Sequence, residues 1–189
     1  MNWLAHLLLS EPSPAYRIGN LLPDLMPAAA LTHLPAEFQR GIEQHRRIDA
    51  FTDAHPIVRR SILRVTAPRR RLAGVLVDIF YDHFLTCAWA EYAPMPLADF
   101  LAEFHGSIAQ YRAVLPAEAY ARLEQIRAAN WLSSYGDVAG ITETLRRMES
   151  RFRRPVPLGE AGVELELAYE GFREDFREFF PELRRHVGA

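Results

Sequence analysis

Lysine is absent from this 189-residue chain: all 22 of its basic residues are arginines. Arginine occupies plain surface positions as well as clusters, which reads as genomic base composition. There is one cysteine, Cys87, so an internal disulfide framework and a thiolate metal cage are both excluded. Cys87 falls in an apolar helical run, where a buried structural thiol is expected and a nucleophile is not. No apolar run reaches the roughly 18 residues of a membrane span. The short stretch from Trp3 to Leu9 contains His6 and has no basic leader, so a signal peptide is not expected and the cytoplasm is. A net charge of −2 gives no general pull toward nucleic acid. Strand signals are nearly absent too. The one weak case, Pro155-Val156-Pro157-Leu158, carries two prolines and reads as an extended linker.

What remains is helix after helix. With 49% apolar and 24% charged residues, the chain suits one folded domain spanning 1–189. A short helix can start after Asn2 and stop near Ser10, before Pro12 and Pro14. Ala15 to Met26 has helical spacing but is expected to break around Gly19 and Pro23. Pro35 to Ala54 is closed by Pro56, and a shorter helix runs from Pro56 to Val65. Leu72 to Trp89 is apolar on nearly all sides, which marks the central helix. Segments 96–115, 116–134 and 138–152 show three-to-four spacing, and 162–186 reads as one amphipathic helix with Leu167, Phe172, Phe176, Phe179 and Leu183 on its stripe. The expectation is an all-α bundle of about eight helices.

Three patches then put polar residues where a helix should be apolar. If 35–53 is helical, His45 and Asp49 lie within roughly 20° of Phe38 and beside Ile42, in the middle of the buried stripe. Arg40, Glu43, Gln44 and Arg47 take the solvated side. In the central helix, Asp78 and Asp82 are one turn apart on a face shared with Gly74, Tyr81, Leu85 and Trp89. Two carboxylates so placed in a low-dielectric interior need a proton, an arginine or a cation between them, and His83 could bracket the same ion. Any one of these residues could be a capping aspartate or a satisfied core histidine. Five inward acids and imidazoles on two helices are more economically one shared site, and such an oxygen-rich set suits Mn²⁺ or Mg²⁺. Nearer the N-terminus, His6 among leucines reads as a hydrogen-bonded core histidine. Gly19 suggests close backbone approach, and Asn20 and Asp24 put an amide and a carboxylate four residues apart.

The ordered combination of Met1-Asn2-Trp3-Leu4-Ala5-His6, Gly19-Asn20 with Asp24, His45-Arg46-Arg47-Ile48-Asp49 with Phe51-Thr52-Asp53-Ala54-His55, and Gly74 through Asp78 to Tyr81-Asp82-His83-Phe84-Leu85 resembles the acyl carrier protein phosphodiesterases, also called acyl carrier protein hydrolases. Trp131-Leu132 with Tyr135, and Phe179-Phe180-Pro181, extend the likeness. The resemblance implies an all-α fold distantly related to the HD-type metal phosphohydrolases and dependence on a divalent cation, Mn²⁺ or Mg²⁺. It also implies removal of the 4′-phosphopantetheine arm from holo acyl carrier protein. In the broader HD pattern the adjacent pair runs histidine first, whereas here Asp82 precedes His83.

On this reading Asp24, His45, Asp78 and Asp82 hold the metal. His83 and Asp49 belong in or beside its coordination sphere, Asp49 alternatively orienting His45. Arg46, or Asp53 with His55, are candidates for phosphate contact and proton transfer to the leaving serine oxygen. The cluster Arg59, Arg60, Arg64, Arg69, Arg70 and Arg71 adjoins the site in sequence and is expected to dock the acidic carrier; a second cluster runs Arg146, Arg147, Arg151, Arg153 and Arg154. Two rivals stand beside this reading. One is an HD-like phosphohydrolase of nucleotides or other small diesters, and the other a helical binding module whose acids and imidazoles are structural pairs.

Overall fold

The computed structural model describes residues 1–149 and 158–189, and every described element is helical. In order they are α1 (Trp3–Leu8), α2 (Pro14–Leu25), α3 (Ala36–Ala54), α4 (Pro56–Arg64), α5 (Ala73–Cys87), α6 (Trp89–Tyr92), α7 (Leu97–Ile108), α8 (Ala117–Ala128), α9 (Val138–Glu149), α10 (Gly162–Leu167) and α11 (Tyr169–Val187). Short 3₁₀ turns intervene, among them Trp131–Gly136. No described helix is long and apolar enough to cross a membrane. The proline-flanked linker expected at 155–157, the end of the 138–152 segment, and Arg151, Arg153 and Arg154 lie outside the described residues.

The all-α architecture agrees with the periodicity, and the differences have local causes. The 116–134 segment is not one helix, because Asn130 adopts the left-handed region at φ 51°, which asparagine tolerates better than most residues. The chain then restarts as the 3₁₀ turn that carries Trp131 and Tyr135. The 162–186 segment breaks at Ala168 (φ −132°, ψ 30°), and the phase slips there. Leu167 is 69% exposed, while Phe172, Phe176, Phe179 and Leu183 are fully buried. Conversely α2 runs unbroken through Pro23. Gln44, expected in solvent, is buried and donates to the Leu9 carbonyl at 3.1 Å.

At the centre α5 buries Leu76, Val77, Phe80, Tyr81 and Leu85. The rings of α11 pack on it edge-on, Phe172 against Phe80 and Phe176 against Tyr81. Two glycines set the closest helix pair. A Cβ on Gly19 would lie 2.3 Å from the Phe38 carbonyl oxygen, and one on Gly41 would lie 2.2 Å from that of Tyr16. Only glycine allows α2 and α3 to approach so closely, and that approach brings the Asn20 backbone onto α3.

Candidate metal centre

Four helices deliver the polar groups to one place. From α1 comes His6, fully buried; from α2, Asn20 and Asp24; from α3, His45 and Asp49; and from α5, Asp78. The two imidazoles stack with centroids 4.3 Å apart. His45 Nε2 lies 2.9 Å from Asp49 Oδ2, and His6 Nε2 lies 3.2 Å from Asp49 Oδ1. Ligand atoms of His6, His45 and Asp49 all fall within 4.8 Å of one another, a His/His/Asp group able to hold a metal ion. Asp24 Oδ1 stands 3.7 Å from His45 Nε2.

Asn20 dictates how these rings are protonated. Its Nδ2 donates to the His6 carbonyl at 2.8 Å and to Ser10 Oγ at 2.9 Å, so its Oδ1 is the atom that meets His6 Nδ1 at 2.9 Å, as an acceptor. The Asn20 backbone oxygen accepts from His45 Nδ1 at 2.8 Å. Both rings therefore carry hydrogen on Nδ1, and in their neutral forms both turn an Nε2 lone pair toward a carboxylate that can only accept. Asp49 Oδ1 is shut from solvent and makes no hydrogen bond. Acceptors gathered in this way demand a positive charge among them.

The electrostatics agree. Burial disfavours the His45 imidazolium, but Asp49, then Asp24 and the Asn20 carbonyl, outweigh it and raise the ring's pKa; a proton on Nε2 meets the demand when nothing else does. Burial likewise opposes ionisation of Asp49, yet His45, His6 and the Met1 ammonium hold its carboxyl well below the usual range. That ammonium sits between two acids, 3.1 Å from Asp78 Oδ1 and 3.6 Å from Asp49 Oδ1, a cation already drawn to the spot. Desolvation nonetheless pushes the Asp78 carboxyl up.

Other expected site residues go elsewhere. Asp82 is fully buried and accepts from the backbone N–H groups of Leu4 at 2.8 Å and Ala5 at 3.1 Å. It caps α1, the task expected of Asn2, which instead donates to Tyr135 Oη. His83 donates from Nδ1 to the Tyr135 carbonyl at 2.7 Å and accepts from Tyr169 Oη at 3.0 Å; burial lowers its pKa despite that carbonyl. Cys87 is exposed and not buried, its sulfur 3.7 Å from His83 Nε2. Arg46 pairs with Glu43 on the outer face of α3. His55 caps α4 through Ile57 N and reaches Glu182 at 3.2 Å, so it joins α3, α4 and α11. Asp53 is exposed, one turn beyond Asp49.

The first arginine cluster is largely committed to the fold. Arg60 and Arg64 both bond buried Asp175, at 2.6 and 2.8 Å, and Arg69 bonds buried Glu164 at 3.0 Å. Arg70 donates to the Val65 carbonyl, and Arg59 and Arg71 point to solvent. What the sequence reading undervalued was His6 and Asn20. A histidine inside a leucine run and the Asn20/Asp24 pair were the available signals, but nothing local ties position 6 to position 45.

Two cavities open beside the cluster. One of about 480 Å³ is lined by Met1, Asp49, Asp53, Asp78, Tyr135 and Met148 among others, and a second of about 1170 Å³ by Arg122, Ile126, Arg147 and neighbours. They share Trp3, Asp24 and Trp131. Trp3 donates from Nε1 to Asp24 Oδ2 at 2.9 Å and stacks on Trp131 at 5.5 Å.

Comparison with known proteins points the same way. The family model described as acyl carrier protein phosphodiesterase matches residues 1–183. A protein of that name from Salmonella dublin is 33% identical over 184 residues, which cover 97% of this chain and 95% of the relative. Another, from Salmonella agona strain SL483, is 32% identical over the same shares. No solved structure matches. A helical bundle that gathers two histidines and a carboxylate at one point beside a cavity, matched along nearly its whole length, belongs to the acyl carrier protein phosphodiesterase family.

Proposed function

We propose that this protein is a divalent-cation-dependent phosphodiesterase that hydrolyses the 4′-phosphopantetheine arm from the serine of holo acyl carrier protein. The observation that carries the reading is the convergence of His6 Nε2, His45 Nε2 and the Asp49 carboxylate, whose ligand atoms all lie within 4.8 Å of one another. Those three would hold the cation, with Asp24 the nearest further donor. Two imidazoles with carboxylates favour Mn²⁺, and Mg²⁺ where carboxylates and water dominate. When bound, the cation supplies a lowered pKa for water and charge compensation at the phosphoryl oxygens.

The chain's own groups do the rest. Asn20 engages both Nδ1–H groups so that both Nε2 atoms face the Asp49 carboxylate. Among the described residues no arginine lines the 480 Å³ cavity, and this reading gives Arg46 no part there. Asp53 and Asp78 line it and would be the carboxyls that move a proton toward the departing serine oxygen. Asp82 supports the site from behind by fixing the start of α1, and with it His6. The acidic carrier and its hydrolase would meet in the cytoplasm. Incubation with holo carrier and Mn²⁺, followed by intact-mass measurement of the carrier, should show loss of the prosthetic arm, abolished by chelation. An unchanged carrier mass at high enzyme would contradict the proposal.

A further inference from the structure

We infer that the substrate lies across the two cavities in a single direction, with its pantetheine arm in the smaller one and the acidic carrier on the α8–α9 rim of the larger, held by Arg122 and Arg147. This rests on the phosphodiesterase reading above. A diester has two sides, and the cavities meet where it must react. They share Asp24, which stands 3.7 Å from His45 Nε2.

The walls decide which side goes where. The smaller cavity is bounded by buried Ile79, Tyr135 and Thr144 and half-buried Met148, and its roughly 480 Å³ is ordinary for a small-molecule site. A folded protein cannot enter it, whereas a flexible arm can. The larger cavity is rimmed by exposed Arg122, Gln125 and Arg147, a face on which a protein can sit. Trp3, tied to Asp24 and stacked on Trp131, stands between the two as a fixed partition.

Charge supports the same direction. Arg122 and Arg147 pair with Glu118 at 2.8 Å and Glu143 at 2.9 Å, each one helical turn away on the surface. Exposed pairs of that kind are weak in water and cost little to exchange for a carboxylate of an incoming partner. Arg60 and Arg64, by contrast, grip a fully buried aspartate, so the carrier is better served by α8 and α9 than by the arginines of α4.

The test uses the intact enzyme with holo carrier and Mn²⁺. The double variant Arg122→Glu with Arg147→Glu should raise KM by about tenfold or more at low salt, with kcat within about twofold, and should flatten the salt dependence. Arg185→Glu, an exposed change on α11, should do neither. Val75→Trp, at a 40% exposed position on the wall of the smaller cavity, should lower kcat/KM by about tenfold while fluorescently labelled apo carrier, which lacks the arm, still binds as before. An unchanged KM in the double variant, or an unchanged kcat/KM in Val75→Trp, overturns the assignment. If the parent enzyme releases no arm at all, the phosphodiesterase reading fails separately. Apo-carrier binding then tests the rim by itself: loss in the double variant supports it and retention overturns it.

Discussion

Replacing Gly41 by alanine should separate what holds the fold from what arms the site. Its new Cβ would stand 2.2 Å from the Tyr16 carbonyl oxygen and 2.8 Å from the Asn20 nitrogen, where real contacts do not fall below 3.0 Å. Both obstacles are backbone, so α3 must retreat from α2 by roughly 1 Å, at an overpacking cost of about 1–3 kcal/mol. At about 2–4 °C per kcal/mol for a chain of this size, the thermal midpoint should fall by several degrees. The same retreat stretches the 2.8 Å hydrogen bond from His45 Nδ1 to the Asn20 oxygen beyond hydrogen-bonding distance. An imidazole that loses its orienting acceptor typically costs about 10- to 100-fold in metal affinity, and a misplacement near 1 Å costs about 100-fold in rate. Circular dichroism melts, Mn²⁺ titration calorimetry and kcat/KM on holo carrier read the three quantities. Gly74→Ala, whose Cβ meets nothing within 4 Å, is the control and should leave stability equal or slightly higher. If Gly41→Ala melts lower yet binds Mn²⁺ and turns over like the parent, the Asn20 contact does not position His45 and the reasoning is wrong.

His6→Gln should lower Mn²⁺ affinity by more than about 100-fold while helical circular dichroism persists, since it removes a ligand and not merely an orienter; affinity within threefold or so of the parent would return His6 to the core. Asp82→Asn should instead cost stability, about 2–3 kcal/mol in urea melts, because one of the two N–H groups it answers then faces an amide donor. Its Mn²⁺ affinity should fall far less than that of His6→Gln, since His6 is displaced and not removed. Abolished binding with intact stability would make Asp82 the ligand that the one-turn spacing with Asp78 suggested. Asp175→Asn tests the α4–α11 joint. Burial opposes ionisation there, but hydrogen bonds from Arg64, Ser61 and Arg60 hold the carboxyl below its ordinary 3.8. A depressed folded-state pKa contributes stability that is fully present above the unfolded value and lost as pH falls through the folded one. The variant's deficit of about 3 kcal/mol at pH 7 should therefore shrink below pH 3.8, and a gap constant down to pH 2 would refute the ion-pair account.

How much of this was legible beforehand follows from the range of the forces involved. Helix formation and the direction of a buried face are local matters, set by spacing within one or two turns, and so the all-α class, the inward aim of His45 and Asp49, and the central placement of 72–89 could be read directly. Breaks such as Asn130 and Ala168 were missed because each is a single residue's backbone choice, made favourable by distant packing. The polar groups behaved in the same way. Asp78 and Asp82 share a helix face and look like a pair, yet one meets the Met1 ammonium while the other answers the amides of Leu4 and Ala5. The arginines of 59–71 looked like a free basic patch until α10 and α11 folded Glu164 and Asp175 against them. The chain alone determined which groups are too polar for the interior and must find a partner. Which partner each finds, and hence that His6, His45 and Asp49 converge on one point, was decided only when Gly19 and Gly41 let two helices touch, because electrostatic satisfaction acts through space over a few ångströms and takes no account of separation along the chain.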